Sequence, residues 1–258
     1  MIEVHGAIFD LCEVLLYSRD KCQQVWDDWA AHIGIDPSLV AKAIGQRSID
    51  LIPRVAPGSD VEAGVQWIRQ RDLELASSME PVEGARLWTR ALQLLEQMKP
   101  GLRLYTIASS AERELVFRRS SGAQIALPKD DAAIIASEDV VVQKPEPEAF
   151  HVAARWLGRP PEECVVLEDN PVALDKAKRD GFKTVKIGSR EMAPGSLNPD
   201  ISVPDLAHLT FDFTRNGTLL IREGRLWDRL EVRELAVALT ATDRSFPPFG
   251  HEFAPKSH

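Results

Sequence analysis

Four short segments place reactive side chains at the ends of apolar runs. They are Ile8-Phe9-Asp10-Leu11-Cys12-Glu13-Val14-Leu15, Ile107-Ala108-Ser109-Ser110, Lys144-Pro145-Glu146-Pro147-Glu148-Ala149-Phe150 and Val165-Val166-Leu167-Glu168-Asp169-Asn170. Asp10 and Asp169 read as carboxylates at the tips of neighbouring strands. Two such carboxylates repel unless a hard cation lies between them, and Mg²⁺, which takes oxygen ligands, meets that need. Ser109 offers a hydroxyl, and backbone N–H groups near Ser110 at a helix start favour an anion. Lys144 supplies a fixed positive charge. A carboxylate nucleophile, a metal, a hydroxyl and a lysine together suit transfer of a phosphoryl group. Singly, each feature has a plainer explanation: a turn residue, an N-cap, a solvated lysine, a loop. The order of the four, each at its own strand end, argues against coincidence.

The elements that must position these residues follow from the hydrophobic pattern. Val4 to Phe9 is an apolar run that predicts a buried strand ending at Asp10. From Arg19 to about Met79 the texture is helical, with Cys22, Val25, Trp26, Trp29 and Ala30 on one face and no strand signal. Asp36-Pro37 is an N-cap and N1 pair, and Ser18 reads as a helix cap. Strand and helix then alternate. Helices are expected over Gly84–Met98, Ala111–Arg119, Pro147–Leu157 and Pro171–Arg179. Strands are expected over Leu102–Ala108, Ala132–Ala136, Cys164–Leu167 and Lys183–Ile187. This rhythm predicts a parallel sheet with helices on both faces, whose ligands bind beyond the carboxyl ends of the strands. Asn216-Gly217 predicts a hairpin between Phe211–Thr214 and Thr218–Ile221. A short helix near Val232–Leu239 and a loose end from Ser245 complete the chain.

Composition excludes several classes. The 258 residues carry a net charge of -8, with 44% hydrophobic and 27% charged residues. No basic patch favours nucleic acid. No run is long enough to span a membrane. Cys12, Cys22 and Cys164 lie far apart without zinc spacing, which fits a reducing, cytoplasmic setting. The histidines show no metal spacing, and His151 reads as a surface or packing residue. Arg118-Arg119 reads as a solvated helix end. Trp26, Trp29 and Trp67 read as the interior of the helical region.

The four segments resemble the four motifs of the haloacid dehalogenase-like superfamily, over roughly residues 5 to 210. The helical insert between the first two motifs resembles the subgroup that includes sugar-phosphate phosphatases and beta-phosphoglucomutase. Gly45-Gln46-Arg47-Ser48-Ile49-Asp50 resembles a cap segment of glycerol 3-phosphate and 2-deoxyglucose 6-phosphate phosphatases. The resemblance implies an α/β fold: a Rossmann-like parallel core over 1–17 and 84–212, an all-helical cap over 18–83, and a C-terminal extension over 213–258. It implies Asp10 as nucleophile and Mg²⁺ ligand, and Asp169 as a second ligand. Glu168 would hold a metal-bound water. The metal would also take the backbone carbonyl at Cys12. Ser109, Ser110 and Lys144 would bind phosphoryl oxygens, and Arg47 would reach the substrate from the cap.

Two positions depart from the family's pattern. Phosphatases carry a second Asp two residues after the nucleophile, where this chain has Cys12, and a Gly next, where it has Glu13. The missing acid–base group typically costs ~10²–10⁴-fold in rate. Side chains alternate along an extended segment, so Glu13 would point away from Asp10 unless a local turn redirects it. The leading expectation is a Mg²⁺-dependent phosphatase of a small phosphorylated metabolite, a sugar or polyol phosphate, working as monomer or homodimer. The alternatives are a weakened homologue that binds a phosphorylated ligand, or a different chemistry such as a terpenoid diphosphate step.

Overall fold

The computed structural model describes residues 1–41, 43–44, 47–214 and 216–225. In chain order the elements are β1 (Ile2–Val4), β2 (Gly6–Phe9), β3 (Leu16–Tyr17), α1 (Arg19–Ile33), α2 (Ser48–Val55), α3 (Val61–Leu75), β4 (Glu80–Pro81) and α4 (Ala85–Met98). They continue with β5 (Tyr105–Ala108), α5 (Arg113–Gly122), β6 (Ile134–Ile135), α6 (Glu148–Leu157), β7 (Cys164–Glu168), α7 (Pro171–Arg179), β8 (Lys183–Ile187) and β9 (Ile201–Val203). β10 (Leu209–Phe213) and β11 (Leu219–Glu223) close the described chain.

Six strands form a parallel sheet in the order β6-β5-β2-β7-β8-β9. The first strand of the sheet in sequence, β2, therefore lies between β5 and β7, and three strand ends converge around its tip. Strand side chains alternate between faces. Ala7, Phe9, Val165 and Leu167 pack with Trp88, Ala91 and Leu92 of α4 on one face. Ile8, Cys164 and Val166 pack with Phe150 and Ala153 of α6 and Ala177 of α7 on the other. Both faces are covered, which is why these strands read as continuous apolar runs.

Val4–Phe9 is two strands rather than the one expected. β1 pairs antiparallel with β11 in a separate three-stranded sheet. The chain crosses to the parallel sheet at His5, whose N–H donates to Glu163 O at 2.7 Å. Apolar content cannot reveal such a crossing, because both strands are buried. The Asn216-Gly217 hairpin forms as expected, with Phe213 opposite Leu219 and β10 antiparallel to β11. Leu219 and Ile221 are fully buried in the main core. The boundary drawn after residue 212 thus cuts through a strand, and residues up to Glu223 pack with the core rather than extend from it. The helix expected near Val232–Leu239 and the end from Ser245 lie outside the described residues.

The helical region builds a separate apolar cluster from Val25, Trp26, Trp29, Ile52 and Ile68, with Trp26 and Trp29 edge to face at 5.8 Å. Asp36 caps a 3-10 turn over Pro37–Val40, its Oδ1 accepting from the Ser38 N–H at 2.8 Å. At the neck, β3 and β4 pair antiparallel. At two residues each they fall below what a hydrophobic pattern can signal.

The turn into α4 depends on Gly84. Its φ is +85°, and an added Cβ would lie 2.5 Å from Ala207 N and 2.6 Å from Leu206 C, both backbone atoms. Gly101 has a similar φ of +82° with open space around it. Gly84→Ala should therefore lower stability by about 2 kcal/mol or more, combining left-handed strain with overpacking. Gly101→Ala should cost only the strain. Thermal unfolding of the two variants checks this, and equal shifts would show that the close approach at Gly84 is not held.

Candidate active site

Asp10 leaves the end of β2 almost buried, at 5% exposure, with its N–H donating to Leu167 O at 2.9 Å. Lys144, from the segment between β6 and α6, reaches across three strand tips. Its Nζ pairs with Asp10 Oδ1, and donates to Ala108 O at 3.0 Å and Glu168 Oε2 at 3.1 Å. Glu168 is fixed in turn, its Oε1 accepting from the N–H groups of Asp169 at 3.1 Å and Asn170 at 3.0 Å. The lysine is therefore a structural tie between β2, β5 and β7 as well as a cation beside the nucleophile candidate.

The site holds more negative charge than Lys144 can balance. Carboxylate oxygens of Asp10, Glu168 and Asp169 lie within 4.8 Å of one another, a grouping able to hold a metal ion. Burial pushes Asp10 above the ordinary carboxylate range, and Asp169 adds to this while Lys144 opposes it. Burial and the Asp10 charge push Glu168 the same way. Asp169 is raised to about 6 by burial and by Glu168, against the pull of Arg190. Lys144 stays charged: burial works against it, but Asp10 and Glu168 outweigh burial and raise it. Crowded, buried, all-oxygen donors of one sign fit a hard divalent cation. Asp169 also carries two hydrogen bonds at 3.2 Å, from Arg19 of α1 and from Arg190 beyond β8. The grouping does not include a side-chain atom of Cys12.

Beside Asp10 the chain turns sharply. Glu13 has φ +62°, the left-handed region, at the position where the family's pattern has Gly. Its carboxylate turns to the start of α1, where Oε1 accepts from Ser18 N–H at 2.9 Å, Arg19 N–H at 2.8 Å and Ser18 Oγ at 3.4 Å. Ser18 occupies the N-cap position but makes no side-chain cap of its own. The capping expected of Ser18 falls to Glu13, because the turn brings a full negative charge to the helix N-terminus.

Cys12 faces Arg119, with Arg119 Nη1 at 3.5 Å from Cys12 Sγ. Burial pushes the Cys12 thiol up to about 12, against Arg119, so it stays protonated at neutral pH. Arg119 also grips Asp72 of α3, from Nη2 to Oδ1 at 2.6 Å and Oδ2 at 2.7 Å. The reading of Arg118-Arg119 as a solvated helix end is corrected for its second residue. Arg119 is 3% exposed and paired, while Arg118 faces solvent. Adjacent helix positions point about 100° apart, so one arginine of a pair can turn inward while the other stays solvated.

A cavity of about 1240 Å³ opens over the strand tips between the sheet and the helical region. Asp10, Cys12, Lys144, Glu168, Asp169, Ser110 and Arg47 all border it. Arg47 is held by Asp50 at 2.6 Å and remains exposed; its neighbours Gly45 and Gln46 lie outside the described residues. Ser109 is buried at 3% exposure, its Oγ accepting from Ala111 N–H at 3.1 Å, whereas Ser110 is the exposed serine. Sequence reasoning missed Arg19, Arg190, Asp72 and Arg119. Arg190 had a usable signal, since it closely follows Ile187 at a strand end.

The family model described as haloacid dehalogenase-like hydrolase matches residues 4–179. Hexitol phosphatase A of Escherichia coli is 25% identical over 219 residues, 84% of this chain and 98% of that protein. A fructose-1-phosphate phosphatase of the same organism is 23% identical over 187 residues, 70% of this chain and 95% of its own. Among solved structures, CbbY from Rhodobacter sphaeroides in complex with phosphate superposes with a TM-score of 0.62 at 16% identity, covering 79% of this chain and 95% of that one. At that identity the superposition shows the shared fold.

The raised pKa of Asp169 sets a pH window for metal binding. An acid whose folded pKa lies above its unfolded value costs stability once ionised, so metal-free protein should lose stability as pH rises from about 4 through about 6. Mg²⁺ competes with that proton. Thermal stabilisation by Mg²⁺ should be weak below about pH 6 and reach full size above it. It should disappear in Asp169→Asn. A pH-independent Mg²⁺ shift that survives Asp169→Asn would place the ion elsewhere.

Proposed function

The chain belongs to the haloacid dehalogenase-like hydrolases, and from that premise we propose that it is a Mg²⁺-dependent phosphatase of a small phosphorylated metabolite, acting through an aspartyl-phosphate at Asp10. The observation that carries the reading is the nearly buried Asp10 carboxylate, ion-paired to Lys144 at the floor of the cavity. Burial strips the carboxylate of water and Lys144 opposes its protonation, which together suit a nucleophile. The names of the relatives, a hexitol phosphatase and a fructose-1-phosphate phosphatase, support a sugar or polyol phosphate as substrate.

Asp10, Asp169 and Glu168 would hold the metal, together with the carbonyl of Cys12. When bound, Mg²⁺ supplies positive charge that screens the nucleophile from the phosphoryl oxygens. An Asp10 carboxylate oxygen forms a bond to phosphorus as the bond to the leaving oxygen breaks. Lys144, Ser109 and Ser110 would hold the phosphoryl oxygens. Water then attacks phosphorus and gives up a proton to solvent as the bond to Asp10 breaks, which returns the carboxylate and free phosphate. Arg47 would meet the rest of the substrate from the cap side. A cap closed over substrate would exclude bulk water from the cavity floor and strengthen these charge interactions. The setting proposed is cytoplasmic, with a small metabolite as partner and neither nucleic acid nor membrane. No described helix is long and apolar enough to cross a membrane.

Release of inorganic phosphate from a panel of sugar and polyol phosphates tests the reading. Wild type should require Mg²⁺, and Asp10→Asn should lose at least ~10³-fold in rate, as removal of a nucleophile does. Lys144→Met should also be severely impaired while still able to fold in the presence of Mg²⁺. Wild-type protein that binds Mg²⁺ yet releases no phosphate from any substrate would leave a ligand-binding homologue as the better account.

A further inference from the structure

The side of the cavity next to Asp10 is built to stabilise an anion rather than to donate a proton. Cys12 lies two residues beyond Asp10 and borders the same cavity. It presents a thiol where a carboxylic acid would serve as proton donor. The carboxylates nearby are already engaged. Glu13 Oε1 caps α1, Asp72 is held by both contacts from Arg119 Nη2, and Glu112 is bound by Arg69 at 2.7 Å. What faces the Cys12 sulfur is the Arg119 guanidinium, permanently charged and unable to act as an acid in water.

Arg119 has donor capacity to spare. It is 3% exposed; its Nε has no hydrogen-bond partner among the described residues but is closed off from the cavity, so the spare donor is Nη1. Among the described residues its Nη1 meets only a sulfur, at 3.5 Å, which is a weak acceptor. A buried guanidinium with unspent N–H groups is a strong site for an oxyanion, and it needs no reorganisation when charge develops. A second, independent feature bears on the group that carries this oxygen. Val65, Ile68 and Asp72 follow one face of α3 at spacings of three and four, and Val65 and Ile68 line the cavity on the face that meets Arg119. Trp26 and Leu115 extend that apolar lining.

Resting on the proposed phosphatase chemistry, we infer that Arg119 faces the leaving oxygen and that the enzyme selects phosphate esters of acidic hydroxyls, phenolic or anomeric, over esters of primary alcohols, which narrows the proposed substrates to aryl and anomeric sugar phosphates and sets this chain apart from its hexitol and fructose-1-phosphate phosphatase relatives. Asp10 bonds to phosphorus, and the bond from phosphorus to the leaving oxygen breaks with its electron pair kept on oxygen. The product departs as an anion against Arg119, which retains all its protons, and takes a proton from solvent afterwards. A primary alkoxide is too basic to leave this way. A phenolate or a sugar's anomeric oxyanion is not, and a ring suits the apolar lining.

Single-turnover phosphoryl transfer with Mg²⁺ tests this on substituted phenyl phosphates and on the pair glucose 1-phosphate and glucose 6-phosphate. For wild type the rate should fall at least ~10-fold from p-nitrophenyl to phenyl phosphate, and the 1-phosphate should outrun the 6-phosphate. Cys12→Asp, which restores a proton donor, should raise the 6-phosphate rate ~10²-fold and so narrow the gap between the two glucose phosphates. Arg119→Met should lose rate on every ester in the phenyl series, with part of the loss recovered in Arg119→Lys. Rates independent of the leaving group, still abolished by Asp10→Asn, would overturn the inference and leave the phosphatase standing. No transfer from any ester would overturn both.

Discussion

Lys144 is the contact on which the rest of the active region depends. Three strands end at one place because the parallel topology brings β5, β2 and β7 side by side, and two of those ends carry acids. Without a cation there, Asp10 and Glu168 would be buried beside each other with nothing to balance them. Lys144 meets both carboxylates and the Ala108 carbonyl, so it spends its donors on all three tips. Breaking a buried pair by removing one partner costs about 3–5 kcal/mol. One lysine leaves the three carboxylates short of two positive charges, which either a pair of arginines or a divalent ion can supply. The same imbalance explains why Arg19 and Arg190 both turn toward Asp169.

The helical cap is fixed over this floor by ion pairs that start on one helix. Along α3, Arg69 reaches Glu112 and Glu114 at 2.7 Å, and Asp72 reaches Arg119. Residues three apart lie on one face, so a single side of α3 faces the core and carries both contacts. Arg19, the first residue of α1, adds a third link through Asp169. The exposed pairs at Arg69 contribute little individually, whereas the Arg119–Asp72 pair is better shielded and its bonds, both from one nitrogen, are charge-assisted. The cap is thus held by charge near the chemistry, while its own apolar cluster keeps its helices together.

Much of the architecture is legible in the sequence because its strands are buried on both faces and its helices have clear apolar stripes. The four strand-end segments could be found for the same reason: a polar residue directly after an apolar run is conspicuous. What stays hidden depends on tertiary direction. Val4 and Gly6 are both buried, so no pattern tells that they serve different sheets. Arg118 and Arg119 are chemically identical neighbours, and only the packing of α5 against the cap sends one inward. Ser109 and Ser110 divide in the same manner, one buried and one facing the cavity. Leu219 and Ile221 join the core through a pairing with β1 at the opposite end of the chain, a distance no local signal crosses.

The two departures from the family's first motif are best understood as one linked change. A residue other than Gly in the left-handed region costs of order 1–3 kcal/mol, so Glu13 needs compensation. Its carboxylate finds it at the start of α1, where unsatisfied N–H groups and the helix dipole favour a negative charge. That engagement fixes the hinge between strand and cap, and it also removes Glu13 from the list of proton donors for the leaving group. Cys12 makes the complementary change. A carboxylate at that position would sit beside Arg119 and compete with Asp72 for it, loosening the core-to-cap pair. A thiol leaves the Arg119–Asp72 pair whole and leaves Arg119 with donors unspent. The pair Cys12 and Glu13 therefore exchanges a mobile proton donor for a tighter cap and a fixed positive charge, and the chemistry the site can do follows from that exchange.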